Sequence, residues 1–155
     1  MLGGERGAAA RRALEYQVKV GEFWGAQRFV PPVEGVALLS EEGFSPRYDL
    51  DRWSGLITKA GHKLEGENIK DKVCFFPTAK GGIAAGWAFH DLQWKKIAPK
   101  AFIFGVTNPV MVQGAIFAGI TITEGWVPHP REVLQTGDWV RVDPMGKWIE
   151  VLRKA

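Results

Sequence analysis

The sequence predicts an α/β domain of three layers, β/β/α, with parallel core strands joined to antiparallel hairpins. Three observations lead there. Short apolar runs at 73–76, 101–104 and 120–123 are separated by two helical segments, the order of a parallel sheet with right-handed crossovers. The runs Val73–Phe76 and Ala101–Phe104 show no apolar–polar alternation, so both faces of those strands should be covered. The carboxyl-terminal stretch does alternate: Asp138–Asp143 (D-W-V-R-V-D) and Trp148–Leu152 (W-I-E-V-L) flank Pro144-Met145-Gly146-Lys147, the pattern of a β-hairpin.

The elements follow in order. Residues 1–30 read as an amino-terminal extension, with Gly3, Gly4 and Gly7 in it and one or two helical turns over Ala8–Tyr16; residues 31–155 read as the domain. Pro31-Pro32 forces an extended turn. Val33–Leu39 is a strand. Glu41–Asp51 is polar, holds Gly43 and Pro46, and reads as a loop. Trp53–Thr58 reads as a second strand before a turn at Gly61. Val73–Phe76 is a buried strand. Ile83–Lys96 is a helix ended before Pro99. Ala101–Phe104 is a strand. Asn108-Pro109 opens a helix that runs to about Phe117, since Pro is tolerated at the first helical position, and Gly119 ends it. Ile120–Thr123 is the last parallel strand.

Composition excludes several classes. The chain has 155 residues, 46% hydrophobic and 24% charged, which suits one ordinary domain. Cys74 is the only cysteine, so no disulfide framework exists within the chain. Glycines interrupt every long apolar stretch, so no membrane span is expected. The 20 Lys and Arg are interspersed with 17 Asp and Glu, so no nucleic-acid surface is expected either. The first ten residues have no apolar core of a secretory leader. With a free thiol, the expected location is the cytoplasm.

Chemistry concentrates at Pro77-Thr78-Ala79-Lys80-Gly81-Gly82, where a buried parallel strand ends and a helix begins. Ligands of open α/β sheets bind at such strand ends, and free N–H groups with the helix dipole favour an anion. Lys80 adds charge, Thr78 a hydroxyl, and Gly81 and Gly82 let a ligand approach the backbone. A carboxylate or phosphate is the expected ligand; a plain tight crossover turn is the alternative. The order Lys-Gly-Gly does not fit a P-loop. Asn108 stands at the next strand end, as a helix cap or facing the same ligand. His62, His90, His129 and Cys74 match no zinc spacing. No metal site is expected; His62, in a turn after Gly61, remains a further candidate. Seven tryptophans suggest a partner surface or a Trp-rich core and rim.

Taken together and in order, Gly61-His62-Lys63-Leu64-Glu65-Gly66-Glu67-Asn68-Ile69, Phe76-Pro77-Thr78-Ala79-Lys80-Gly81-Gly82, Ala98-Pro99-Lys100-Ala101, Asn108-Pro109, Gly114–Ile120 and Thr136–Asp143 resemble the small, swivelling domain of aconitase X. The resemblance runs from about Val33 to Leu152. It implies a swivelling β/β/α fold and a hydro-lyase completed by a larger catalytic part, either fused or a separate subunit. Members include cis-3-hydroxy-L-proline dehydratase and phosphomevalonate dehydratase. It implies that the larger part holds an iron–sulfur cluster, this chain none. In the family the glycine loop commonly reads Pro-Thr-Ala-Arg-Gly-Ser, and its serine is the expected proton-transferring residue. Here Lys80 replaces the arginine and Gly82 the serine. Either Thr78 takes over, the larger subunit supplies the group, or the substrate or reaction has changed.

The resemblance thus implies a small subunit that closes over a cluster-bearing partner and dehydrates a small hydroxy acid. Thr78 would be catalytic, with Lys80, Gly81, Gly82 and Asn108 binding substrate. The alternative is a non-catalytic anion-binding or regulatory module. A homo-oligomer is compatible with either. A phosphohistidine carrier is disfavoured, because His90 comes too late after the Gly-Gly turn.

Overall fold

The computed structural model describes residues 14–16 and 31–155. Its strands are β1 (Leu14–Tyr16), β2 (Val33–Leu39), β3 (Val73–Thr78), β4 (Ala101–Val106), β5 (Thr121–Glu124), β6 (Trp126–Val127), β7 (Trp139–Asp143) and β8 (Trp148–Arg153). Helices α1 (Ile83–Trp94) and α2 (Pro109–Ala118) follow β3 and β4, and a single turn, α3 (Pro130–Val133), precedes β7. The strands hydrogen-bond in the order β5-β4-β3-β2-β7-β8-β1-β6.

β2 joins two differently built halves. Its first part, Val33–Val36, pairs antiparallel with β7, while Ala37–Leu39 pairs parallel with β3. The parallel half continues through β4 and β5. The antiparallel half holds the β7–β8 hairpin, with β1 between β8 and β6.

The uninterrupted apolar strands explain the layering. Along β3, Cys74 and Phe76 enter one core and Val73 and Phe75 the other; along β4, Phe102 and Phe104 oppose Ala101 and Ile103. The first core lies under the helices and includes Phe89, Leu92, Met111 and Ala115. The second meets Val140, Val142 and Ile149 of the hairpin and Trp126. A strand between two cores can place an apolar residue at every position, and each fully buried Phe or Ile contributes roughly 1.5–3 kcal/mol. This is the β/β/α arrangement expected from sequence.

α1 and α2 touch backbone to backbone. A Cβ on Gly114 would stand 2.4 Å from the Gly86 Cα, so the close crossing requires the glycine. The contact aligns the two helices, and with them the loops that precede them. Gly119 ends α2 in the left-handed region at φ 73°, as the sequence indicated.

Several expectations need correction. Leu14–Tyr16 is strand, not helix, because it fills the slot between β8 and β6; residues 8–13 lie outside the described residues. The stretch read as an extension therefore contributes a strand. Trp53–Thr58 is not a strand and makes only the isolated bridges Leu50↔Ile57 and Leu56↔Asn68. The Asp51 carboxylate accepts from the N–H groups of Trp53 and Ser54 and from the Ser54 hydroxyl, which turns the chain at the point where extension was expected. β6 and α3 were not foreseen; each is too short to leave a periodic pattern.

Among the described tryptophans, Trp53, Trp87 and Trp94 are 80%, 70% and 81% exposed, whereas Trp126 is buried. Trp24 lies outside the described residues. No helix among the described residues is long and apolar enough to cross a membrane.

Candidate functional site

The site grows from the carboxyl end of β3. Thr78 is its last residue and pairs with Val106 of β4. The loop after β2 then folds back alongside: the Phe44 N–H donates to the Thr78 carbonyl at 3.0 Å, and the Lys80 N–H donates to the Phe44 carbonyl at 2.8 Å. Phe44 anchors this return by stacking on Phe76 with ring centroids 4.5 Å apart. A Cβ on Gly43 would lie 2.3 Å from Thr78 Oγ1, so the absence of a side chain there lets the loop lie against the strand end. Thr78 itself is exposed.

Beyond Lys80, Gly81 adopts φ +123°, a conformation natural to glycine. Asn108 connects the two crossover loops. Its Nδ2 donates to the Gly81 carbonyl at 3.4 Å, and its Oδ1 accepts from the Met111 N–H at 2.9 Å, capping α2. Asn108 is thus the helix cap expected from the sequence, and it also reaches the first loop. Gly82 is the N-cap residue of α1 and supplies no side-chain cap; no acidic residue occupies the first turn. The amino-terminal dipole of α1 is thus left uncompensated by side chains, which suits an incoming anion. A cavity of about 450 Å³ opens there, lined by Arg47, Tyr48, Gly81, Gly82, Ile83 and Trp87 among others.

Thr78, Lys80, Gly81, Gly82 and Asn108 therefore come together at one end of the parallel sheet. His62 lies behind them. It is 4% exposed. Its Nε2 donates to the Gly43 carbonyl at 3.1 Å and its Nδ1 accepts from the Leu64 N–H at 3.0 Å. Both nitrogens are engaged in fastening the Gly43 loop, so His62 supports the site from below.

Sequence reasoning missed Arg47, Ser45 and Asp49, all in the segment read only as a loop. Arg47 reaches the cavity at the α1 terminus. Asp49 is buried, 1% exposed, with Lys80 Nζ at 3.5 Å and Lys59 Nζ at 3.7 Å; the carboxylate is the main cause that holds Lys59 above its ordinary pKa. The available signal was a run of chemically distinct residues, Ser45-Pro46-Arg47-Tyr48-Asp49, but only the fold brings it to Lys80.

Among the described residues no group of three or more His, Cys, Asp or Glu could hold a metal ion. Cys74 is fully buried in β3, and burial pushes its thiol well above the ordinary cysteine range. A thiol in that state is a small hydrophobe, not a ligand or nucleophile.

A family model for the aconitase X swivel domain matches residues 25–151. This chain belongs to that family. Its swivel domain is 30% identical over 119 residues to the phosphomevalonate dehydratase small subunit of Methanococcoides burtonii, covering 77% of this chain and 87% of that one. The corresponding small subunit of Methanocella arvoryzae is 32% identical over 117 residues, 76% of this chain and 89% of that one. The crystal structure of Thermococcus kodakaraensis aconitase X in its holo-form superposes with a TM-score of 0.73 at 26% identity, covering 93% of this chain and 96% of that chain. The swivel fold and the α/β class expected from the sequence are thereby both established.

Proposed function

We propose that this swivel domain is the small subunit of an aconitase X-type hydro-lyase that dehydrates a small hydroxy acid together with a larger subunit. The observation that carries the reading is the glycine loop at the end of β3. There the uncapped terminus of α1 and Arg47 meet at one cavity, with Lys80 adjacent in the loop and paired with Asp49, in a chain about three-quarters of which aligns with phosphomevalonate dehydratase small subunits.

In this reading the N–H groups at the start of α1 and Lys80 hold a carboxylate or phosphate. Asn108 fixes the Gly81 carbonyl and so the curve of the loop. Thr78, exposed at the strand end, is the hydroxyl we assign to proton transfer in place of the family serine. Closure on the partner would exclude water and orient the substrate. An iron–sulfur cluster does not fit this chain's own residues, since the single cysteine is buried in the sheet. We assign the cluster to the larger subunit and the complex to the cytoplasm.

Gly82 favours a second reading, because glycine has no proton to transfer. On that reading the chain is an anion-binding or regulatory module without catalysis. Anaerobic co-purification from the native host separates the two. A stoichiometric larger protein with cluster absorbance, and dehydration of phosphomevalonate or a related hydroxy acid, supports the subunit reading. A chain that purifies alone and colourless, and takes up inorganic phosphate by calorimetry, supports the module. Within an active complex, Lys80→Ala should lower kcat/KM by about tenfold or more, as expected for loss of a charged contact to substrate; wild-type kinetics would remove Lys80 from the site.

A further inference from the structure

Asp49 is buried at 1% exposure, yet nothing in the dehydratase reading uses its carboxylate. The Ser45 N–H donates to its Oδ2 at 2.8 Å and closes the loop on itself. Three nitrogens from other segments surround the same carboxylate. Lys80 Nζ lies 3.5 Å from Oδ2, Lys59 Nζ 3.7 Å from Oδ1, and His62 Nε2 3.9 Å from Oδ2. The His62 ring is engaged by the loop backbone, at the Gly43 carbonyl and the Leu64 N–H. The two lysines are the ammonium groups that face the carboxylate.

Their burial differs sharply from that of Asp49: Lys80 and Lys59 side chains are 40% and 41% exposed. A buried carboxylate without a partner is costly, so the pairing draws two mobile surface ammonium groups inward. Gly43 shapes the path. A Cβ there would stand 3.3 Å from Lys80 Cε, so the lysine stem lies across the bare glycine on its way to Asp49. A free lysine carries about 2 kcal/mol of rotamer entropy, and fixing it before substrate arrives removes that cost from binding.

We propose that Asp49 is a positioning residue that holds the Lys80 ammonium beside the glycine loop, with Lys59 competing for the same carboxylate. Asp49 itself touches no substrate. The proposal rests on the reading of Lys80 as a substrate-binding residue, but the Asp49–Lys80 coupling can be measured without substrate.

The test is limited acetylation of the full-length chain with acetic anhydride, read residue by residue by mass spectrometry, with exposed Lys147 as internal reference. Asp49→Asn keeps an oxygen for the Ser45 N–H and removes only the charge; it should raise the Lys80 rate relative to Lys147 by about fivefold. Lys59→Ala removes the competitor at the surface and should lower the Lys80 rate. The two variants predict opposite signs, and Lys59→Ala decides alone if Asp49→Asn does not fold. Equal Lys80 rates in all three proteins would overturn the proposal. In the complex with the larger subunit, Asp49→Asn should raise KM for phosphomevalonate by about fivefold with kcat little changed, and Asp49→Glu should recover part of it; an unchanged KM overturns the positioning role. A wild-type complex inactive on phosphomevalonate would sink that substrate reading, while the acetylation result still decides the coupling.

Discussion

Among the described residues two aspartates are buried, and they are built differently. Asp138, 0% exposed, stands just before β7. It accepts from the Gln135 N–H at 2.9 Å, the Ala155 N–H at 2.8 Å and Lys154 Nζ at 2.9 Å. Asp49, nearly as buried, has one backbone bond of that quality and two lysines at ion-pair distance. The first carboxylate is saturated by short bonds and ties the end of the chain to the hairpin, near the point where the Ala37 N–H meets the Asp138 carbonyl. The second is held by one loop and shared between two others. Counterion exposure does not separate them, since Lys154 is 57% exposed and Lys80 and Lys59 are 40% and 41%; a carboxylate saturated by short bonds serves the fold, whereas one shared between lysines at ion-pair distance is available to influence a site.

The largest effect should therefore appear at Asp138. Asp138→Ala removes all three bonds, one of them from a lysine, at a cost of about 3 kcal/mol. Urea unfolding should show it, and a loss under about 1 kcal/mol would break the contrast. Asp49→Ala strands one N–H, while its lysines return to water, so its stability cost should be about 1 kcal/mol. If the two variants unfold alike, Asp49 is as structural as Asp138.

The same contrast can be sharpened with pH. Burial pushes the Asp138 carboxyl up, but the bonds from Gln135, Lys154 and Ala155 and the charge of Lys154 outweigh it and leave the group below its ordinary value of 3.8. A carboxyl depressed in the folded state contributes stability that is complete above its unfolded pKa and is lost as pH falls through the folded one. Stability should therefore drop below about pH 4, and Asp138→Asn should flatten that part of the curve. Denaturant titrations between neutral and strongly acidic pH would show it. An unaltered slope in the variant would mean that other carboxylates govern the acid limb.

How much of this was legible in the sequence follows from the range of each interaction. The parallel strands and the hairpin were readable because burial on two faces, or on one, writes itself into consecutive residues: Val73–Phe76 is apolar throughout, Trp139–Asp143 alternates. Gly119 and Asn108 were readable because caps act within one turn. The glycine loop was readable because a strand end, a turn and a helix start are contiguous. Asp49 and Arg47 were not, because their roles depend on Phe44 carrying a polar loop back across the end of β3. β1 was missed for a similar reason. Three residues show no period, and Leu14–Tyr16 is a strand only because β8 and β6 leave a slot for it.

The smallest expected change in stability concerns the two helix starts that flank the site. α2 is capped by Asn108 and opens with Pro109, while α1 begins at Gly82 with no side-chain cap. A Cβ on Gly82 would meet nothing within 4 Å, so the space for a side chain exists and only the side chain is missing. Serine is a better N-cap than glycine by a few tenths of a kcal/mol, so Gly82→Ser should leave the melting temperature unchanged or slightly raised. A marked destabilisation would show that this loop end is less open than its geometry indicates. Because the fold should be indifferent, any change in the assembled enzyme reports on the site, and kcat separates proton transfer from the anion binding read in KM. A gain would mean that proton transfer limits the glycine form and that a hydroxyl at this position can carry it. Unchanged turnover would assign the step elsewhere, and Thr78→Val then becomes the decisive variant: if its turnover also survives, the proton is moved by the larger subunit.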